Sequence, residues 1–135
     1  MALTKVTAAV LEPTAVTDNI SNGSIDSAKI ADDAISYAKL GSEFTTAATL
    51  SASDVDFSTA QVFTKTLSAN DTLTFSNVST GMVKDLVITG NFTLTLPSSV
   101  KVISGEYDGT VSNLIQIAAT NGSTEQWATI SQEAV

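Results

Sequence analysis

The sequence predicts a mainly β protein, in which a small C-terminal antiparallel β-sandwich or barrel follows an extended N-terminal segment with short helical turns, intertwined as a trimer. Composition is the first reason, since 37 of the 135 residues are Ser or Thr, 43% are apolar and only 15% are charged. Such a composition suits pleated sheets, which Thr and Val fill well. The other two reasons are an Ile/Leu repeat near the N-terminus and a series of short apolar runs after it.

The N-terminal repeat places an aliphatic residue at every fifth position. On a helix each step of five turns about 140°, and on a strand each odd step changes face, so neither element buries all five residues against one surface. We therefore predict that they form a trimer interface between copies of the chain. One alternative is a single amphipathic helix from Asp26 to Leu40, which would also suit a bundle of three. The repeat residues are Ile20, Ile25, Ile30, Ile35 and Leu40.

The second part of the chain contains seven short apolar runs separated by turn residues, a pattern typical of a small sandwich or barrel. Gly90-Asn91 lies between two of the runs and predicts a tight hairpin. Asn121-Gly122 predicts the loop between the last two strands. We accordingly divide the chain into an N-terminal docking and trimerisation segment, 1–57, and a β-domain, 58–135. The predicted strands are 62–67, 72–75, 86–89, 92–96, 100–103, 111–118 and 126–130.

The residue types that are absent exclude several classes of function. The chain has no His, no Cys and no Arg, and its formal charge is −8. Zinc sites of the usual kind, cysteine nucleophiles and Ser-His pairs are thereby excluded, and an acidic surface without arginine does not suit nucleic acid. We predict no enzyme activity, no cofactor and no nucleic-acid partner. We also expect no membrane span, because no apolar run approaches the length that crosses a bilayer.

Three acidic or aromatic sites remain as candidates. Asp54 and Asp56 form an Asp-x-Asp pair that would hold a divalent cation or simply form a solvated turn. Tyr107 and Asp108, in the sequence GEYDG, are candidates for contact with a glycan or for an exposed loop. Trp127, the single tryptophan, is expected in the core or at a subunit interface.

Two stretches resemble proteins of tailed bacteriophages. NGSIDSAKIADDAISYAKLG, within residues 17–43, is similar to repeats in the N-terminal, virion-proximal parts of phage fibre proteins. The segments TLSANDTLTFSN and LVITGNFTLTLPSSVKVISGEY, within residues 64–131, resemble a small β-domain of fibre and virion-attached proteins. In that β-domain, Leu96 and Val102 stand where members often carry tryptophan.

The resemblance implies a structural protein of the virion that docks through its N-terminus and projects its β-domain. Its partners would be further copies of itself, as a homotrimer, and other virion proteins of the capsid, neck or tail. The resemblance leaves open a short fibre, a head fibre or decoration protein, and an adaptor for a longer fibre. The alternative is a receptor-binding module that contacts a host-surface glycan. No signal peptide is recognised in the first 20 residues.

Overall fold

A computed structural model of the chain describes residues 30–32 and 34–134. By its contacts the chain divides into two compact units, Met1–Lys39 and Leu40–Val135. In the described part of the first unit, helical structure is limited to a 3₁₀ turn at Tyr37–Lys39, which buries no residue. The Lys39 ammonium donates to the carbonyl oxygen of Ala34 at 2.8 Å. The alternative of one helix from Asp26 to Leu40 is therefore wrong for the described residues.

The second unit, Leu40–Val135, is mainly β, as the sequence predicts, and is called the β unit below. It begins with one short helix, α1 (Ser42–Thr45), and continues as ten strands. The strands are β1 (Ala48–Thr49), β2 (Asp54–Asp56), β3 (Val62–Thr66), β4 (Asp71–Thr72), β5 (Thr74–Ser76), β6 (Val83–Thr89), β7 (Leu94–Thr95), β8 (Val100–Ser104), β9 (Asn113–Asn121) and β10 (Glu125–Gln132).

Successive turns of the chain stack on one another in a solenoid-like manner. β1, β3 and β6 pair in parallel, with Ala48 opposite Phe63 and Phe63 opposite Leu86. β2 pairs in parallel with β5, and β4 pairs in parallel with β7. Each turn of the chain, here called a coil, therefore adds strands beside those of the preceding coil. The predicted antiparallel sandwich or barrel is corrected to this arrangement, in which most of the described strand pairs are parallel.

The stack ends in antiparallel strands. β9 pairs antiparallel with β6 and β10 with β9, while β8 pairs in parallel with β10 and forms the outer edge. The six-stranded sheet therefore has the order β1-β3-β6-β9-β10-β8. The loop at Asn121-Gly122 joins β9 to β10 as predicted.

The hairpin predicted at Gly90-Asn91 is wrong, because the strands on either side of it belong to different sheets. Gly90 has a φ of 110° and turns the corner from β6 towards β7. Glycine favours a hairpin turn and a solenoid corner for the same reason, namely its access to positive φ. The sequence signal was therefore real, and it marked a different kind of turn.

The core lies between the stacked sheets. It is formed by every second residue along the strands, whose side chains point inward. Phe63, Leu86 and Ile115 lie side by side on β3, β6 and β9 and are fully buried. Val55 and Phe57 belong to the same core, so residues from Leu40 onwards share one unit with the strands that follow residue 58. The other fully buried side chains of large volume are Leu73, Ile88, Ile117, Asn113 and Gln126.

Candidate functional site

The aliphatic residues of the N-terminal repeat lie on the surface wherever the structure describes them. Ile20 and Ile25 lie outside the described residues. Ile30, Ile35 and Leu40 are 41%, 60% and 41% exposed. These three side chains are exposed and recur at equal spacing in the sequence, and their place at an interface between copies stays a prediction.

Hydrogen bonds between threonine hydroxyl groups join one coil of the β unit to the next. The Thr49 and Thr64 hydroxyls are 3.1 Å apart, as are those of Thr66 and Thr89, and each pair joins two neighbouring parallel strands. Because stacked coils repeat the same outward position, Thr meets Thr across the ladder. The Thr-rich composition therefore has a structural use in these coils.

Asp54 and Asp56 point outward from β2 and bind the next coil. Asp54 accepts hydrogen bonds from the Thr74 and Ser76 hydroxyls at 3.0 and 2.6 Å. Asp56 accepts bonds from the Ser58 backbone, the Ser58 hydroxyl and the Asn77 amide at 2.9, 2.7 and 2.8 Å. The Ser58 hydroxyl and the Asn77 amide hold the pKa of Asp56 below its usual value. Both carboxylates therefore accept hydrogen bonds that join neighbouring coils. A cation bound by this pair stays a hypothesis.

Lys65 and Asp71 form an ion pair near the end of β3. Their ion pair spans 3.0 Å, and the Lys65 ammonium also donates to the carbonyl oxygen of Ala52 at 2.7 Å. The pKa of Asp71 is lowered, first by the hydrogen bond that the Ser53 hydroxyl donates and also by Lys65. The pair joins β3 to the corner where β4 begins.

Tyr107 and Asp108, the candidates for glycan contact, take part in the packing of their own loop. Tyr107 is half-buried and donates its hydroxyl hydrogen to the carbonyl oxygen of Gly90 at 2.8 Å; burial, helped by the Asp108 charge, raises its pKa. Asp108 accepts hydrogen bonds from the hydroxyl and the backbone of Thr110, which lower its pKa. Buried Asn113 donates to the carbonyl oxygen of Asp108 at 2.7 Å and fixes the loop. A glycan contact at these residues stays a prediction.

Trp127 lies on the outer face of the sheet, and its side chain is 44% exposed. Its indole N–H donates to the Glu125 carboxylate at 3.0 Å, and Glu125 also forms an ion pair with Lys101 on β8. The pKa of Glu125 is lowered, first by Lys101 and then by Trp127. The core position considered for Trp127 is therefore wrong, whereas a subunit interface stays a prediction.

An apolar groove of about 390 Å³ opens beside β8, where the stack ends. The inward side of β8 contributes Val102, and the neighbouring corner contributes Leu94 and Leu96. Tyr107, Ile130 and the exposed acidic residue Glu106 also line it. Val102 lies in a predicted strand, but the groove itself is not visible in the sequence, because it depends on which strand ends the sheet.

Lys84 is a buried cation that sequence analysis did not single out. Its ammonium donates to the carbonyl oxygen of Ala60 at 2.7 Å and to the side-chain oxygen of Gln61 at 3.2 Å. Burial lowers its pKa. Lys84 has the same strand parity as Leu86 and Ile88, so the alternation along β6 already indicated that this side chain points inward.

Neither a cluster of metal-binding side chains nor a membrane-spanning helix is found among the described residues. In the range 30–134 without residue 33, no group of three or more acidic side chains lies close enough together to hold a metal ion. No helix of the same residues is long and apolar enough to cross a membrane.

Comparison with known proteins gives this chain no relative. No protein family matches the sequence, and no curated protein or solved structure shows significant similarity to it.

Proposed function

We propose that this chain is a non-catalytic structural protein of a tailed-bacteriophage particle, assembled as a homotrimer, which docks through its N-terminal segment and projects its β unit. One observation carries the proposal. Ile30, Ile35 and Leu40 keep two fifths or more of their surface exposed, in a chain whose β unit closes a core of its own. Regularly spaced aliphatic residues that the chain leaves uncovered favour burial against other copies.

The polar groups of the β unit support a structural role. Asp54, Asp56 and Asp108 are the carboxylates that the sequence singled out, and each accepts hydrogen bonds that join coils or close a turn. Acid–base catalysis needs a carboxylate that faces a substrate with its proton free to move. These three are committed to neighbouring hydroxyl, amide and backbone donors, so they favour a scaffold.

The way in which the coils are fastened suits a part that stands exposed on a particle. The chain contains no cysteine and therefore no disulfide. The coils are joined by parallel main-chain ladders, by Thr pairs and by the Asp54 and Asp56 bonds to the next coil. Local opening of one coil breaks several of these contacts at once, which raises its free-energy cost.

The resemblance of residues 17–43 and 64–131 to phage fibre proteins supports a role in a phage particle. The distribution of charge supports the choice of which end of the chain docks and which end projects. Residues 40–135 contain nine acidic residues and three lysines. A surface of that charge stays well hydrated when it projects into solvent. The N-terminal repeat has uncovered aliphatic side chains, and we assign docking to it for that reason.

Incorporation into particles tests the proposal. Three chains are compared in purified virions, namely the wild type, Ile30→Ser with Ile35→Ser, and a control in which Val83→Ser changes an exposed valine of the β unit. We expect the double variant to be lost from the particles and the control to be retained, as measured by quantitative mass spectrometry. Wild-type chain absent from the particles, or double variant present at the wild-type level, would overturn the proposal.

A further inference from the structure

Asn121, the last residue of β9, carries an exposed side chain, and no described residue forms a hydrogen bond with its amide group. Gly122 follows it with a φ of 53°, and the atoms nearest to the place of a Cβ there are 3.7 Å away or more. Asparagine is a thermolabile residue. A following glycine increases its reactivity, because glycine has no Cβ to keep its main-chain nitrogen away from the asparagine side chain.

The hydrogen bonds that hold this loop use its carbonyl oxygens. The Asn121 carbonyl oxygen accepts from the Thr124 N–H at 3.1 Å and from the Thr124 hydroxyl at 2.7 Å. The Gly122 carbonyl oxygen accepts from the side-chain amide of Gln126. None of these bonds involves the Asn121 side chain or the Gly122 N–H, so the carbon and the nitrogen that would react stay available to each other.

The other asparagines of the described chain are protected or precede a larger residue. Asn70 and Asn77 are held by hydrogen bonds of their side chains, and Asn113 is fully buried. Asn91 is exposed, but the residue that follows it is Phe92. The Cβ of Phe92 hinders the approach of its nitrogen to the Asn91 side chain. Asn91 is therefore a natural control within the same chain.

Asp108-Gly109 places the same two groups next to each other, but both are restrained. The Thr110 hydroxyl and N–H bond to the Asp108 carboxylate and keep its pKa low, so it stays ionised and is a poor electrophile. A Cβ at Gly109 would lie 2.9 Å from the Cα of Asn91, which shows how closely this glycine is packed. Asn121-Gly122 has neither restraint.

We propose that Asn121 is a site of spontaneous deamidation and is the fastest such site among the described residues. The Gly122 nitrogen gives up its proton and forms a bond to the side-chain carbonyl carbon of Asn121. The bond from that carbon to the amide nitrogen breaks, and ammonia leaves with the proton. One water molecule then opens the resulting five-membered imide ring to aspartate or isoaspartate. The reaction needs only water and does not depend on the proposed function.

Both products weaken the end of the sheet where β9 meets β10. Asn121 lies opposite Glu125 in the ladder, so aspartate places two like charges across from each other. Isoaspartate lengthens the main chain by one carbon beside Gly122, whose carbonyl oxygen binds the Gln126 amide. Gln126 is fully buried and its Oε1 already lacks a partner. Loss of the bond to Gly122 leaves a whole buried amide unpaired, which is costly.

Ageing of the full-length chain tests the inference. The protein carries Asn22→Ser, because Asn22 also precedes a glycine and lies outside the described residues. It is kept in mildly alkaline buffer, and peptide mass spectrometry measures the replacement of NH₂ by OH at each asparagine. We expect conversion at Asn121 to be at least tenfold faster than at Asn91. Equal rates at the two residues, or faster conversion at another described asparagine, would overturn the proposal.

Thermal denaturation of the same samples tests the link to the core. We expect the converted fraction to unfold at a midpoint lower by about 4 °C or more, and Asn121→Ser, which has no side-chain amide to lose, to keep its midpoint on ageing. Asn121→Asp, made directly, should unfold below Asn121→Ser. An unchanged midpoint after conversion would overturn the coupling of Asn121 to Gln126, and an Asn121→Ser chain that ages like the wild type would overturn the assignment to Asn121.

Discussion

The chain contains two repeating patterns of apolar side chains, which differ in burial. In the β unit, each coil returns an apolar side chain to the same place, so Phe63 and Leu86 lie side by side and are buried. In the N-terminal repeat, Ile30 and Ile35 are five positions apart and both are exposed. The first pattern is buried within one chain, whereas the described residues of the second pattern are exposed in it.

The comparison indicates that the length of a repeat determines whether its apolar side chains can be buried within one chain. Phe63 and Leu86 are 23 positions apart in the sequence and opposite each other in the parallel ladder, because one coil of that length closes on itself before the next begins. Five residues are too few to close a coil around a core. We therefore propose that a short repeat of aliphatic residues is buried by other chains, and substitutions in the two patterns test this comparison.

The largest effect is expected in the N-terminal repeat. Ile30→Ser with Ile35→Ser removes two aliphatic side chains from the proposed interface and should weaken assembly by about 4–8 kcal/mol per chain if each behaves as a core truncation. Sedimentation equilibrium measures the loss. The unfolding free energy of the β unit in the same variant should change by less than about 0.5 kcal/mol. Normal assembly of the double variant would show that the repeat is a solvated tether.

The second effect concerns the buried coil pattern. Phe63→Ala leaves a cavity where β3 meets β6 and should cost about 3–5 kcal/mol of unfolding free energy. Urea denaturation followed by circular dichroism measures it. The neighbouring Val62→Ala is the control, since Val62 faces outward, and its effect should be a small fraction of that figure. Similar costs for the two variants would contradict the assigned direction of the β3 side chains.

A smaller effect is expected where the chain leaves β8. Gly105 has a φ of 80°, and a methyl group there would overlap the carbonyl oxygen of Ile130. Gly81 has a similar φ of 89° with no atom within 4 Å of that position. Both changes to alanine should carry backbone strain of about 1–3 kcal/mol, and Gly105→Ala should cost more. Equal unfolding midpoints for the two variants would contradict the close approach of this loop to β10.

The smallest effect is on the response to acid. Asp56 and Asp71 accept hydrogen bonds that lower their pKa values from 3.8. Because the unfolded chain binds protons first, these carboxylates stabilise the fold above about pH 4 and lose that contribution as the pH falls through their folded-state values. Ser58→Ala removes the main donor to Asp56 and should move the acid unfolding midpoint to higher pH. A midpoint that moves to lower pH would contradict the assigned role of Ser58.

Sequence reasoning predicted the β class and most strand positions, because alternation such as that of Leu86 and Ile88 is a local property. It also placed the last loop at Asn121-Gly122. Pairing direction was not predictable in this way, since Gly90 serves a hairpin and a solenoid corner equally well. The groove beside β8 was not predictable for a related reason, because its position depends on which strand ends the sheet. The interface that the five-residue spacing predicts for Ile30 and Ile35 stays a prediction.

Deletion of residues 2–39 tests most directly whether the β unit is self-sufficient and the N-terminal repeat is not. Sedimentation equilibrium and thermal denaturation are measured on the shortened chain and on the full chain of 13.9 kDa. The account predicts a trimeric full chain, and a shortened chain that is monomeric at micromolar concentration and unfolds in one cooperative transition. A full chain that stays a folded monomer, or a shortened chain that still forms trimers, would contradict it.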